Sequence, residues 1–531
     1  MKKYMKYVRK YIILQIVFYF LYVLTTAIVP YLQKLLFDKA KVYGLKFVLF
    51  LVGAYIVVIA ISEVASYISE RYVWRTAIEF ENKLKRDFFS VISKMENNEF
   101  SKKSVGEYIS LQGNDITTLE QDYLTPALDI VKSILMVIIY SVVIFIMIDY
   151  KIGIVLLIQS IVVVFVPKIM AGKLSDSRNK YLRQMGKYVE LVKELYENHA
   201  ILSVRTRDAV VKHHDSELNK TSGMRMNYGR RKCLSLSLSG GAINIVHIII
   251  FGIIGYLFIK GNITLGTATS ALAYVECFVG PLESFLYDID AINSTKNIRE
   301  KVCAYLEGHN EDKKTLLYNF KEEITCNNIV VNYKDFSLKD FSFSFKKGKK
   351  YAIIGHSGSG KSTIIKAIMQ KINVDKGQIF IDGLDVKNYD KSNIVGYFGQ
   401  KDMIFSDNFE NNVSLFGAYD INLLPDNIRN RSSVRKIENC NLLSGGEKKI
   451  IGFLRLYVEN ADICILDEPF AGVDYKMTRN ITSKIMDSNK TVIMVTHDIE
   501  EEYLRQFDEI LFIKQGRLIA SGDYETIQEY V

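Results

Sequence analysis

Long apolar runs crowd the first 290 residues of this chain, and short ones separated by polar turns fill the rest. In the first part, six segments approach the ~20 apolar residues that carry a helix across a bilayer. They run over about 11–35, 47–68, 128–148, 152–171, 241–259 and 264–287. Only Asp149-Tyr150-Lys151 separates the third from the fourth, and only Lys260-Gly261-Asn262-Ile263 the fifth from the sixth. Both pairs therefore read as helical hairpins. Polar stretches rich in helix formers, 70–125 and 172–239, fill the two long gaps. Residues 310–323 are charged and aperiodic, as a linker would be. From residue 324 onward short strand-like runs alternate with helical ones, the pattern of an α/β domain. The expected division is 1–309, a 310–323 linker, and 324–531.

Charge orients the spans. Lys2, Lys3, Lys6, Arg9 and Lys10 precede the first one, which puts the N-terminus in the cytoplasm. Six crossings then leave both long loops and the second half on the same side. Lys34, Lys39, Lys41 and Lys46 in the first outside loop run against this orientation, and the even number of crossings outweighs them. The net charge of +9 is spread along the chain rather than gathered into a nucleic-acid-binding tail. Six scattered cysteines, without metal-ligand spacing, read as reduced thiols. The first apolar segment is too long for the core of a cleavable signal and reads as a retained span.

Chemistry enters at Gly355-His356-Ser357-Gly358-Ser359-Gly360-Lys361-Ser362-Thr363, between the apolar run 350–354 and a helix-like run 363–370. Glycines at 355, 358 and 360 let successive N–H groups fold around an anion, and the following helix adds its positive end. Lys361 is placed to reach the β- and γ-phosphates, and the Ser362 hydroxyl to hold Mg²⁺. The loop binds ATP or GTP. The fold class is thus a membrane all-α six-helix domain followed by an α/β P-loop NTPase domain.

Four further elements follow. The run 394–398 leads to Gly399-Gln400; Leu443-Ser444-Gly445-Gly446-Glu447 precedes an amphipathic helix; an apolar run 463–466 ends in Asp467-Glu468; another closes on Thr496-His497. Singly each has a plain structural explanation, a common turn or a solvated acid. In this order behind a phosphate loop, the set resembles the ATP-binding cassette (ABC) family, and the whole chain resembles an exporter-type half-transporter. The resemblance implies roles at the matching positions. Asp467 would hold Mg²⁺ with Ser362 and Gln400. Glu468 would be the base for the attacking water, Gln400 would sense the γ-phosphate and the metal, and His497 would contact the γ-phosphate. Ser444, Gly445 and Gly446 would form the signature loop, Asp474 would match the acid that the family carries beyond the two acids, and Tyr333 would stack on adenine. In the family the signature loop closes over ATP held by a second cassette. The implied working unit is therefore a dimer, with a homodimer favoured over a heterodimer.

The membrane half resembles the family at Val105-Gly106-Glu107-Tyr108-Ile109 with Asn114-Asp115-Ile116, at Gly280-Pro281-Leu282 with Arg299, and in the hairpin 194–217. Departures are a short interval from Gln400 to Ser444, Val434-Arg435-Lys436-Ile437-Glu438-Asn439 before the signature, and Ala471-Gly472-Val473-Asp474 after the acids. Ionisable residues within spans carry a functional expectation because lipid penalises them. Glu63 reads as a helix-end residue. Glu276 and Glu283, seven apart on one helix face, would with His247 line a cavity for a cationic substrate. The expected activity is Mg-ATP-driven export across a bacterial cytoplasmic membrane, in contact with lipid and with no nucleic-acid partner. Alternatives are a lipid flippase, and an ATP-binding membrane regulator or one half of an unequal pair. The substrate class stays open between peptide and amphipathic cargo.

Overall fold

The computed structural model describes residues 1–147, 150, 153–154, 168–307, 315–333, 336–399, 403–424, 437–469 and 486–530. Contacts divide the chain into two compact units, Met1–Ser93 with Val105–His309, and Lys94–Ser104 with Asn310–Val531.

The first unit is helical. The run α1 (Arg9–Lys94) contains the first two predicted spans and breaks between them at Gly44, whose φ of 70° and ψ of −165° suit only a residue without a side chain. Helices α2 (Thr125–Met147), α3 (Lys168–Glu197), α4 (Arg207–Ile259) and α5 (Leu265–Ser294) follow. Predicted spans three, five and six fall in α2, α4 and α5; the fourth lies almost wholly outside the described residues. Among those residues, Arg9–Lys94, Val105–Ile146 and Arg207–Ile259 are long and apolar enough to cross a membrane. Helix α5 is not among them, because Thr267, Thr269, Ser270, Glu276 and Pro281 dilute its apolar residues.

Within its two apolar stretches α1 buries several polar residues and exposes many large apolar ones, the reverse of a water-soluble helix, whereas Phe80, Leu84 and Phe88 beyond them are fully buried. Gln15, Thr25, Ser62, Ser69 and Thr76 face inward, whereas Phe50 and Tyr67 are each 69% exposed. Small and polar residues inside and large apolar ones outside are what a lipid solvent selects. At one end of the bundle Asp38 accepts hydrogen bonds from the Thr264 hydroxyl (2.8 Å) and the Gly266 N–H (2.9 Å), tying the Gly44 turn region to the start of α5. Midway, the Tyr274 hydroxyl donates to the Ala27 carbonyl at 2.5 Å, and its ring meets Tyr140 edge-on at 6.1 Å. The fifth and sixth predicted spans meet at Gly261 (φ 72°), where the Asn262 N–H returns to the Leu257 carbonyl.

The second unit carries two larger sheets. Strands β1 (Glu323–Asn332), β2 (Ser337–Lys346), β4 (Lys376–Ile381) and β5 (Leu384–Asp385) form an antiparallel sheet in the order β2-β1-β4-β5, and β3 (Lys350–Ile354) opens the other. That second sheet continues with β6 (Val395–Phe398), β7 (Ile463–Asp467), β8 (Thr491–Val495), β9 (Glu509–Lys514) and β10 (Arg517–Gly522). Its order is β10-β9-β3-β8-β7-β6, parallel except for the β9–β10 pair. Strands β3, β7 and β8 are buried along their whole length, as a parallel sheet covered on both faces requires. Thr315–Leu316 pairs with Tyr389–Asp390, and Phe320 is buried in the same core, so the charged stretch after residue 314 packs onto this unit.

Candidate functional site

Four neighbouring strands, β3, β8, β7 and β6, end on one edge of the parallel sheet, and each leads into a segment expected to carry chemistry. The carboxyl ends of parallel strands are where open α/β sheets bind ligands. The register aligns Val495 with both Ile353 and Asp467, and Phe398 with Leu466, so the four exits are level.

After β3 the chain enters the phosphate loop and then α6 (Lys361–Ile368). Gly355 (φ 144°) runs so close to the Ile513 carbonyl that a Cβ there would collide with it, and a Cβ on Gly360 (φ 109°) would stand 2.7 Å from the Phe336 ring. His356, Ser357 and Gly358 are exposed at the loop crest, Ser359 is buried, and Ser362 and Thr363 are half-buried at the start of α6. The Lys361 ammonium donates to the carbonyls of Gly355 (2.7 Å) and His356 (3.0 Å). Two of its three donors are thus used within the loop, and among the described residues the third is left for an anion. Burial pulls its pKa down, against the pull of Glu468 and Asp467. Among the described residues, the buried Ser359 hydroxyl has no hydrogen-bond partner. An orphaned donor, a free ammonium donor and a helix N-terminus around one loop fit a phosphate group.

The Ser362 hydroxyl donates to Asp467 Oδ1 at 2.9 Å. Adjacent oxygens of a Mg²⁺ octahedron with ~2.1 Å bonds lie ~3 Å apart, so these two donors already stand at the spacing the ion needs. Burial pushes the Asp467 carboxyl up, the Ser362 bond opposes that shift, and the Glu468 charge adds to it. A cation would remove that strain, and the residues fit one. Glu468 sits just past β7 with φ 50°, a left-handed backbone that costs a glutamate ~1–3 kcal/mol. Its N–H to the Val495 carbonyl (3.1 Å) holds it there, and its Oε1 meets His497 Nε2 at 2.8 Å.

Ser444 caps α7 (Gly445–Glu459) in a reciprocal box. Its hydroxyl accepts from the Glu447 N–H, and the Glu447 carboxylate accepts from the Ser444 N–H at 3.0 Å. Ser444 and Gly445 are exposed and Gly446 half-buried, so the start of the helix faces outward. Tyr333 follows β1, is 48% exposed, and has its ring 6.5 Å from that of Phe336. Gln400 and Asp474 lie outside the described residues, as do Val434-Arg435-Lys436 and Ala471-Gly472-Val473. Of the ionisable residues within the expected spans, Glu63, read as a helix-end residue, and Glu276, read as cavity-lining, are exposed, and His247 is half-buried with Nε2 unpartnered among the described residues. The side chain of Glu283 is outside the described set. Sequence reasoning missed Lys371, whose ammonium rests 3.1 Å from the centre of the Tyr397 ring, on the strand leading to Gly399. No pattern marks a lysine that meets a ring from a separate element.

Residues 12–282 match the family model described as the ABC transporter transmembrane region, and residues 338–471 match that described as ABC transporter. The glutathione/L-cysteine transport system ATP-binding/permease protein CydC of Haemophilus influenzae is 26% identical over 51% of this chain, and the match spans about half, 53%, of that relative. The multidrug resistance-like ATP-binding protein MdlA of Buchnera aphidicola is 25% identical over 97% of the chain and 92% of the relative. Among solved structures, a bacterial Atm1-family ABC exporter with ATP bound superposes with a TM-score of 0.79 at 19% identity, covering 99% of this chain and 97% of that one.

Proposed function

Because this chain belongs to the ABC transporter family, with a transmembrane region and a cassette on one polypeptide, we propose that it is a half-transporter. Two copies would hydrolyse ATP to drive export across the bacterial cytoplasmic membrane by alternating access. The membrane half is 1–309, the cassette 324–531, and 310–323 joins them.

The observation that carries this reading is the convergence of Lys361, Ser362, Asp467, Glu468 and His497 on one edge of a parallel sheet, with Glu468 hydrogen-bonded to His497. Lys361 and the loop amides bind and orient the phosphates, supported by Tyr333 as an aromatic face for the base. Ser362 and Asp467, with Gln400, would hold Mg²⁺, which when bound supplies charge neutralisation at the phosphate oxygens. Glu468 takes the proton from the attacking water. His497 fixes the carboxylate that does so and would contact the γ-phosphate. An exposed helix N-terminus at Ser444, Gly445 and Gly446 supports closure of the site by a second, identical copy, head to tail. Asp474 would contribute to the same seam.

Glu468→Gln keeps the shape and removes the base. General-base catalysis is worth about 10²–10⁴ in rate, so this variant should bind Mg-ATP as wild type does and turn it over at least about a hundredfold more slowly. Unchanged turnover in nanodisc-embedded protein would remove Glu468 from the mechanism.

A further inference from the structure

Within the second unit, one turn of α7 holds the chain on both sides of Gln400. Before it, Phe398, the last residue of β6, packs its ring 5.4 Å from that of Phe453. The same ring lies so close to Gly452 that a Cβ there would stand 2.7 Å from it. Beyond it, Arg455 grips the chain from Met403 onward. Its Nη1 donates to the Met403 carbonyl at 2.8 Å and its Nε to the Asn412 carbonyl at 2.7 Å, with the guanidinium 5.9 Å from the centre of the Phe405 ring.

The stretch between those two carbonyls is closed on itself. Asn412, fully buried in the short helix Phe409–Ser414, accepts from the Phe405 N–H at 2.8 Å. Its amide nitrogen donates to the carbonyls of Phe405 (3.1 Å), Asp407 (3.0 Å) and Asn408 (3.0 Å). Residues 405–412 are thus one hydrogen-bonded piece, and Arg455 sets where that piece stands against α7. Apolar packing joins the same helix to α7 without the arginine, through Phe409, Val413, Ile451 and Val458. Among the described residues Arg455 bonds main-chain carbonyls and no carboxylate, and its buried Nη2 has no partner. Drawing a guanidinium from water toward neutral acceptors is a poor route to stability. A planar fork on two main-chain carbonyls fixes direction instead.

We propose that Arg455 is a positioning residue that couples the two nucleotide sites of the dimer, by fixing the exit of the Gln400 segment against the helix that begins at Ser444. This rests on the half-transporter reading, in which Gln400 serves the nucleotide of its own copy and the head of α7 that of the other. Both then ride one helical arm, roughly three turns or ~16 Å long between Ser444 and Arg455. Nucleotide binding that takes up Gln400 shifts the piece 405–412, and Arg455 passes the shift along α7 to the grip on the second nucleotide. Filling one site therefore strengthens the other, as a coupling free energy between sites requires.

The test is equilibrium binding of fluorescent TNP-ATP with Mg²⁺ to the full chain in nanodiscs, in a Glu468→Gln background that holds the nucleotide unhydrolysed. A coupling of about tenfold between two sites gives a Hill coefficient of about 1.5, the value expected with Arg455 in place. Arg455→Met, apolar and of similar reach, should bring it to about 1, with half-saturation raised no more than about threefold. Arg455→Lys keeps the charge and the donors without the planar fork and should fall between. An arginine that served stability alone would lower the thermal midpoint and leave the Hill coefficient where it was. A coefficient of 1 in the parent, or one unchanged in Arg455→Met, would overturn the proposal; if that variant does not assemble, an unchanged coefficient in Arg455→Lys does so. Non-cooperative binding leaves the half-transporter reading standing, whereas a parent that binds no TNP-ATP would bring down both.

Discussion

Lys371 meets the Tyr397 ring at van der Waals distance, and burial pulls its pKa down to about 8, with Asp467 opposing and Lys366 adding to the shift. An unfolded lysine titrates near 10.4, so between pH 8 and that value the unfolded chain binds this proton while the fold does not. Stability must therefore rise with pH across that window, and the penalty is constant below it. Lys371→Met removes the titration. The thermal midpoint of wild type, measured relative to this variant, should climb from pH 8 to pH 10; parallel curves would show that Lys371 keeps an ordinary pKa. At this scale the sequence was legible wherever chemistry is local. Gly355 to Thr363 and Asp467-Glu468 are contiguous, and their neighbours alone predict strand, loop and helix. Contacts between distant segments were not legible. Nothing at Glu468 announces a left-handed backbone, and nothing at Gln15 or Asp288, single polar residues near the margins of apolar runs, shows that they lose their partners on burial.

Helix α5 is the most polar of the expected spans, and its first turn depends on a residue 226 positions away: Thr264 caps it, and Asp38 takes the Thr264 hydroxyl and the Gly266 N–H. An anion at a helix N-terminus is favoured both by the hydrogen bonds and by the dipole. Asp38→Ala should cost about 1–2 kcal/mol, read as a lower thermal midpoint in detergent, and Asp38→Asn should recover part of it. An unchanged midpoint for the alanine variant would mean the cap adds nothing. Hydropathy located α1, α2, α4 and α5 because each needs ~20 apolar residues whatever its neighbours. It could not order their inner faces. Glu276, expected inside, is exposed in the single copy, while among the described residues Lys132 and Asp288, at the ends of apolar runs, are buried. A face is chosen by packing between helices, and single-sequence periodicity is weak where every face is apolar.

The molecule carries a phosphate loop and, at Ser444, an exposed helix N-terminus, and the proposed mechanism has the two used by different copies. Lys361 of one copy and Ser444 of the other must then complement each other in trans. Lys361→Met removes the phosphate ligand, and Ser444→Asp keeps a good helix cap while placing a negative charge against phosphate. Each variant alone should be nearly inactive. Co-assembled at equal amounts, half the dimers are mixed and each retains one intact site of two, so Mg-ATPase should return to about a quarter of wild type. A mixture no more active than its two parents would contradict the shared site, and with it the dimeric half-transporter.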